Sequence, residues 1–318
     1  MLGALEVDTM RMMRRATILL FVLSVFSLHS LGQDAPTNCS AADALKKPCP
    51  MLLLFQGYAD GQPQSAIATL DSNGISRISN RPLGLSSGEL SHDGKLIAFD
   101  NCQHETRGIY VARVDVDSSP DDWRLVTPIV VPTEHTVCSW PRWSPDDRKI
   151  SYKHPVDHLL HIVSVDGTGD TPLKNAAAST WHTWSPQGDR IIFDRGGGGH
   201  RLLFSVNMAG EVQPVTSADD FGKCESWAPD WSPDGKHVVF TSCDGKLYTI
   251  SPEGKDLRPI ATRPYRAYSP RWSVDGGWIL FQSSSGTQLL CVRSDGEFLS
   301  IIGDLPFRGG PISVGPLH

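Results

Sequence analysis

The chain has 318 residues, of which 20% are charged and 40% are hydrophobic, and its formal net charge is −6. This is the composition of an ordinary soluble protein, and the length alone does not decide between one domain and two. A mildly acidic chain without a basic stripe argues against binding to nucleic acid, whose phosphates require clustered Lys and Arg, and against anionic membrane surfaces.

The N-terminal segment is predicted to be a secretory signal peptide. Three arginines precede an apolar run over residues 16–28, and small residues at Ser30 and Gly32 precede a predicted cleavage before Gln33. A membrane anchor is the alternative, but the run is shorter than the ~20 apolar residues that cross a bilayer. We therefore expect a periplasmic or extracellular protein without stable membrane insertion after cleavage.

One sequence unit recurs five times and determines the predicted fold. Each copy has an aromatic residue or Leu, then Ser, a turn, and a β-rich run that ends in an aromatic residue. The copies are LSHDGKLIAF from Leu90, WSPDDRKISY from Trp143, WSPQGDRIIF from Trp184, WSPDGKHVVF from Trp231 and WSVDGGWILF from Trp272. A sixth β-rich run ends at Phe55, and successive closing aromatics are 41 to 53 residues apart. That period suits one four-stranded blade of a β-propeller for each unit.

The turn in each copy has a physical basis. Pro fixes φ at the first central position, and Gly takes the left-handed position that reverses the chain. In one copy Asp147 replaces Gly, and Asp is among the few residues that accept this conformation. Later β-rich segments and Asn-Gly or Asp-Gly turns predict third and fourth strands, the fourth being, for example, Leu257–Ile260 and Phe298–Ile302.

The first blade lacks its own first strand. The C-terminal residues 310–313 resemble the start of the repeat unit, and we expect them to supply this strand and close the ring, because closure removes an exposed sheet edge. The predicted organisation is a signal peptide over residues 1–32, an N-terminal arm over 33–50, and an all-β, six-bladed β-propeller of four-stranded antiparallel blades over 51–318.

The WSPDG-type repeats resemble those of the TolB-like propeller family from roughly Met51 to the C-terminus. The resemblance implies the six-bladed fold but does not fix the function, because propellers host binding modules, peptidase appendages and lyases. TolB itself carries a preceding α/β domain, whereas only residues 33–50 are expected between the cleavage site and the first blade. A role in the Tol–Pal system is therefore not assigned.

Seven cysteines follow the predicted cleavage site, so we expect an oxidising compartment and disulfides. Seven is an odd number, and Cys291, in the middle of a predicted strand, is expected to be a free, buried apolar residue. Positions in the repeat suggest two pairs, Cys102 with Cys138 and Cys224 with Cys243, and a pair of Cys39 with Cys49 would pin the N-terminal arm.

Histidines cluster on the predicted top face, which we define as the face where each blade begins its first strand and ends its second. They are His104, His135, His154, His158, His182 and His200. Neutral imidazole binds zinc or manganese, and the TolB-like oligogalacturonate lyases, which this fold resembles, use a metal near the propeller centre. Since no HxH or HExxH spacing is present, we favour polar loop residues over a single divalent metal.

A second constellation lies on the inner strands, at the predicted mouth of a central funnel. Mostly charged residues precede the Trp or Leu of each repeat, and further aromatic residues stand just above them, which suits a peptide segment or a sugar. Packing between blades and salt bridges explain the same residues equally well. The candidate ligand-binding set is Glu89, Trp140, Arg142, Trp181, His182, Trp227, Asp230, Tyr268 and Arg271, with Thr183 completing the ring.

These patterns favour an exported, monomeric module that binds or scaffolds a protein or peptide in the cell envelope, without a cofactor. The alternatives are a metal-dependent carbohydrate-active enzyme that uses the top-face histidines, and a structural part of a larger envelope complex. No catalytic residue is predicted. Residues 84–88 match GxSxG but lack the strand-to-helix turn of a nucleophile elbow.

Overall fold

The computed structural model describes most of the chain after the predicted arm, and these residues lie in one compact unit, Asn38–His318. The described residues are 48–59, 62–71, 74–76, 87–100, 108–114, 125–130, 140–197, 200–217, 219, 225–305, 308 and 310–317. Their regular secondary structure consists entirely of β-strands, which confirms the predicted all-β class.

Twenty-four strands form six four-stranded antiparallel sheets, one for each blade. Blade one contains β24 (Ile312–Pro316), β1 (Met51–Ala59), β2 (Gln62–Asp71) and β3 (Gly74–Ser76). Blade two contains β4 (Ser87–Leu90), β5 (Leu96–Asp100), β6 (Ile109–Arg113) and β7 (Leu125–Val130). Blade three contains β8 (Arg142–Trp143), β9 (Lys149–Lys153), β10 (Leu159–Ser164) and β11 (Thr171–Ala177). Blade four contains β12 (His182–Trp184), β13 (Arg190–Gly197), β14 (His200–Asn207) and β15 (Val212–Pro214). Blade five contains β16 (Ser226–Trp231), β17 (Val238–Ser242), β18 (Leu247–Ile250) and β19 (Arg258–Ile260). Blade six contains β20 (Ala267–Trp272), β21 (Trp278–Ser283), β22 (Gln288–Arg293) and β23 (Ser300–Asp304).

The C-terminal strand closes the ring, as predicted. β24 pairs antiparallel with β1, and Ile312 lies opposite Phe55 in the register. The innermost strands of neighbouring blades, β24, β4, β8, β12, β16 and β20, contact one another all the way round. Gly310 lets the chain enter this strand, because an added Cβ would lie 2.2 Å from the Gln56 carbonyl oxygen.

The repeat turns have the predicted conformation. The last turn residue is left-handed in every copy, including Asp147, whose φ is 53°. The repeat Ser holds each turn together: Ser273 Oγ, for example, donates to Asp275 and accepts the Trp278 N–H. This pairing of Ser with a turn carboxylate explains the Ser-x-Asp pattern of the repeat.

Six hydrophobic clusters hold the disc together, and each lies between two neighbouring blades. The cluster between blades six and one contains Trp278, Cys291 and Ile312, all nearly inaccessible to solvent. The apolar side chains face neighbouring sheets, and the polar residues on the inner strands therefore line the axis of the ring.

The last blade departs slightly from the prediction. Its fourth strand begins at Ser300, two residues after the predicted start at Phe298. Phe298 has a left-handed backbone, with φ of 54°, and is 63% exposed under the guanidinium of Arg293. The left-handed backbone at Phe298 therefore precedes the strand, which begins at Ser300.

Candidate functional site

The axis of the propeller carries the ring of charged residues that the sequence predicted. In blade two, Glu89 accepts the Arg142 Nη1 donor at 2.7 Å and the Trp143 N–H at 2.7 Å. Asp230 repeats this arrangement between blades five and six, accepting the Trp272 N–H at 2.7 Å. The acidic member of each pair therefore positions the inner strand of the following blade.

Blade one contributes a sixth member of the ring that sequence reasoning missed. Ser313 Oγ accepts the Leu90 N–H at 3.0 Å, so Ser313 occupies the place that Glu89 and Asp230 take in their blades. The sequence signal was weak, because the last strand lacks the Trp-Ser or Leu-Ser pair that begins the other units. It becomes visible only through the pairing of β24 with β1.

The two arginines of the ring are buried. Arg142 is 6% exposed and Arg271 is 3% exposed. Burial and the neighbouring Arg142 lower the pKa of Arg271 to about 10, which still leaves it protonated at neutral pH. Its Nε donates to the Ile312 carbonyl at 3.0 Å, while its buried Nη2 has no hydrogen-bond acceptor. Burial also raises the pKa of Asp230, against the attraction of Arg271.

His182, one of the predicted metal candidates and funnel residues, is fully buried on the inner strand of blade four, beside the axis, with its ring against blade three. Its Nε2 is 2.9 Å from Ser151 Oγ, and its Nδ1 has no partner. Burial, and then repulsion by Arg142, lower the pKa of His182 to about 3, so the ring is neutral at neutral pH. Two nearby guanidiniums make this part of the axis a poor place for a metal cation.

A cavity of about 410 Å³ lies on the top face, where the central axis of the ring reaches the surface. Its wall combines residues from blades one, three, four and six. The lining comprises Gly57, Tyr58, Trp140, Trp181, Tyr268, Gln282, Ser283, Ser284, Ser285, Gly286, Arg308, Gly310 and Pro311. Three of the four predicted funnel aromatics are therefore together, whereas Trp227 does not line the cavity, and Tyr58, Gln282 and Arg308 were missed.

Two aspartates hold the tryptophan wall. Trp140 and Trp181 contact each other, with ring centroids 4.7 Å apart. Asp194 Oδ1 accepts the Trp181 N–H at 2.6 Å, and Asp100 Oδ2 accepts the Trp140 N–H at 3.4 Å. Both carboxylates directly follow the closing aromatic of their blade, so a Phe-Asp pair in the repeat was the sequence signal for this support.

Left-handed residues shape the entry to the inner strands. Trp140, Ala228 and Ser269 each lie three residues before a repeat Trp, and their φ angles are 49°, 52° and 51°. In blade six the register with β21 shifts between Tyr268 and Arg271, which is a β-bulge. Bulges redirect side chains and are frequent beside functional sites, and here they stand at the rim of the cavity.

Gln282 is the polar residue of the wall whose hydrogen bonding is incomplete. It is 1% exposed, and its Oε1 has no hydrogen-bond partner. Gln56, at the same position after the closing aromatic of blade one, uses its amide fully, accepting the Gly88 N–H and donating to the Gly88 carbonyl, each at 2.7 Å. Gln282 is therefore a cavity-lining residue whose buried amide oxygen has no hydrogen-bond partner within the chain.

Among the described residues, the other predicted metal candidates form no ligand group with His182. His154 and His158 lie in the turn between β9 and β10, and His200 begins β14. His104 and His135 lie outside the described residues. Within the part of the chain that the structure describes, one group of three or more possible ligands converges, formed by His154 with Asp157 and His161.

The cysteines are partly described. Cys291 is a free, buried thiol, which confirms the prediction, and burial raises its pKa to about 12. Cys49 and Cys243 are disulfide-bonded. The other four cysteines lie outside the described residues, so the three proposed pairings stay predictions. None of the described residues belongs to a helix with the length and hydropathy of a membrane span.

Sequence comparison gives limited information. No protein-family profile matches the chain. An uncharacterised protein of Agrobacterium fabrum is 26% identical over 189 residues, which cover 58% of this chain and 58% of that protein. The chain thus spans less than two thirds of the length of the curated relative that it matches.

Solved structures with the same fold include two TolB proteins. One from Acinetobacter baumannii has a TM-score of 0.64 at 14% identity and covers 85% of this chain and 67% of its own. A protein described as TolB from Agrobacterium tumefaciens has a TM-score of 0.60 at 17% identity, covering 81% and 90%. A chain of a nidogen–laminin complex has a TM-score of 0.61 at 9% identity, covering 83% and 98%. At these identities the likeness establishes the fold alone.

Proposed function

We propose that this TolB-like propeller is an exported module that binds a peptide segment of a protein partner in the cell envelope, with the top-face cavity as the binding site. The observation that carries the proposal is the aromatic-walled cavity with the buried, unpartnered Gln282 amide oxygen. The predicted signal peptide supports export, and the fold shared with TolB proteins supports an envelope location.

The chemistry of the wall suits a peptide with an apolar anchor. A volume of about 410 Å³ holds one or two side chains and falls in the range of ligand pockets. Trp140, Trp181 and Tyr268 offer rigid apolar surface, while Gln282 and the serines of residues 283–285 offer hydrogen bonds. Arg308 is the charged residue of the lining, so an acidic group beside the anchor is favoured.

Two further proposals concern the partners of the protein. Removal of residues 1–32 takes away three basic and two acidic residues, which leaves a mature chain with a net charge of −7. We propose a monomer that binds no nucleic acid, because Lys and Arg are too few and too scattered to follow a phosphate backbone.

Site-specific photo-crosslinking in the native host tests this function. Benzoylphenylalanine replaces Tyr58 at the cavity rim, which is 56% exposed, and in a matched control replaces Phe298, which is 63% exposed on the opposite face. We expect one discrete protein adduct from position 58 and none of that size from position 298. The adduct should disappear when Tyr268→Ala or Gln282→Met is added.

Three results would contradict the proposal: no adduct from position 58, the same adduct from both positions, or an adduct that persists in both cavity variants. Sugar rings also stack on tryptophan pairs such as Trp140 and Trp181. An adduct that resists protease and is removed by glycosidases would therefore show that the ligand is a carbohydrate and not a peptide.

A further inference from the structure

The turn between β9 and β10 brings three possible metal ligands together on blade three. The Nδ1 atom of His154 is 3.2 Å from Asp157 Oδ1, and the Nε2 atom of His161 is 3.0 Å from Asp157 Oδ2. The two imidazole rings stack with centroids 4.3 Å apart. The three ligand atoms all lie within 4.8 Å of one another, and none of the three residues lines the top-face cavity.

Neighbouring groups hold each ligand in place. His161 is 7% exposed, and Asp170 lies on the far side of its ring, with Oδ1 3.1 Å from Nδ1. Tyr152 in turn donates its hydroxyl to Asp170 at 3.0 Å. A carboxylate behind a histidine fixes the ring orientation and makes the opposite nitrogen a better ligand, which is the usual outer shell of protein-bound metals.

The turn itself is rigid and presents the carboxylate. The Leu159 N–H donates to Asp157 Oδ1 at 2.9 Å, and the His154 N–H donates to the Leu159 carbonyl at 2.8 Å. The Asp157 carboxylate is thereby held between the His154 and His161 rings, with one oxygen toward each.

We propose that His154, Asp157 and His161 form a binding site for a divalent transition metal, zinc in the first place. Tetrahedral zinc with bonds of about 2.0–2.1 Å separates its ligands by about 3.3 Å, close to the spacings in this turn. Two imidazoles and one carboxylate suit zinc better than calcium or magnesium, which prefer oxygen ligands. Partial exposure of His154 and Asp157 leaves a fourth position for water.

Metal titration of the mature chain, residues 33–318, tests the site. The protein is treated with chelator and titrated with ZnCl₂ by calorimetry, with MgCl₂ and CaCl₂ as comparison salts. We expect one zinc per chain, no response to magnesium or calcium, and at least a tenfold weaker affinity in His154→Gln and His161→Gln. Asp170→Asn should weaken zinc binding about tenfold, because the outer carboxylate is lost.

His158→Gln is the matched control. His158 lies in the same turn, is exposed, and is outside the ligand group, so its substitution should change zinc affinity less than threefold. The absence of stoichiometric zinc binding would overturn the proposal, as would equal affinities of the wild type, His154→Gln and His161→Gln.

A spectroscopic measurement on the wild-type protein tests the site even if the variants do not fold. In wild-type protein labelled with ¹⁵N-histidine, zinc should shift the ring resonances of His154 and His161 and leave those of His158 and His237 in place. Shifts confined to other histidines would exclude the site even if both variants were unfolded.

Discussion

Glu89 in blade two and Arg142 in blade three form a 2.7 Å ion pair on the propeller axis, and the second oxygen of Glu89 binds the Trp143 N–H. One carboxylate thus neutralises a buried guanidinium and fixes the inner strand of the next blade. Asp230 and Arg271 make the corresponding, longer contact of 3.5 Å three blades away. The axis is therefore held by two charge pairs on opposite sides of the ring.

Glu89→Gln should lower the free energy of unfolding by about 2–3 kcal/mol, because the buried Arg142 loses its counter-charge. The partial exposure of Glu89 keeps the loss below that of a fully buried pair. Urea unfolding followed by tryptophan fluorescence measures this. Glu253→Gln is the control, since Glu253 is 62% exposed and 3.7 Å from its partner Arg190. Its effect should stay below about 0.5 kcal/mol. Equal stabilities of the two variants would contradict a structural role for the axial pair.

Deletion of residues 306–318 should destabilise the whole propeller. The deletion removes the pairing of β24 with β1, the burial of Ile312 and the Ser313 bond to Leu90. We expect a loss of more than about 4 kcal/mol, or no cooperative unfolding transition at all. Deletion of residues 317–318 alone is the control and should leave the melting temperature unchanged, as measured by calorimetry. An unaltered melting temperature in the longer deletion would refute ring closure by the tail.

His182 should make the protein less stable in acid. Its folded pKa of about 3 lies below the unfolded value of 6.5, so the unfolded chain binds a proton that the folded chain rejects. This contribution is complete above pH 6.5 and is lost progressively as the pH falls toward 3. Between pH 7 and pH 5 the loss amounts to about 2 kcal/mol.

The control for this pH effect is His182→Gln, which keeps an amide near Ser151 and cannot titrate. Its unfolding free energy should fall by about 2 kcal/mol less than that of the wild type over the same pH range. Denaturant curves at four pH values give both slopes, and parallel slopes would show that His182 is not the responsible group.

Gln282 and Gln56 should respond oppositely to the same substitution. Gln56→Met leaves the Gly88 N–H and carbonyl without partners and should cost about 2–3 kcal/mol. Gln282→Met removes an unsatisfied buried oxygen and should leave stability unchanged or raise it by about 1 kcal/mol, while it abolishes the Tyr58 crosslink. Thermal unfolding compares the two, and a destabilised Gln282→Met would show that this amide serves the fold instead.

The Cys291 thiol should be unreactive in the native protein. It is 2% exposed, and burial raises its pKa to about 12, so almost no thiolate forms at pH 8. Native protein treated with a maleimide should show no label at Cys291 by peptide mapping, whereas protein in guanidinium chloride should be labelled fully there. Rapid labelling of the native protein would indicate that blades six and one open locally.

The sequence alone determined the number of blades, the repeat turns and the strand that closes the ring. These features depend on local chemistry: Ser, Asp and Gly specify each turn, and β-rich runs specify strands whose closing aromatics recur every 41 to 53 residues. The sequence also placed Glu89, Arg142, Asp230 and Arg271 on the axis, because each directly precedes the Trp or Leu of a repeat.

Only the tertiary structure decided which of these residues act together. Gln56 and Gln282 occupy the same repeat position, yet one amide is saturated by Gly88 and the other is not, because the next blade presents a different backbone to each. His154 converges with Asp157 and His161 and not with His182. The Gln56–Gly88 pairing joins residues 32 positions apart in the chain, and local sequence patterns do not encode such a contact.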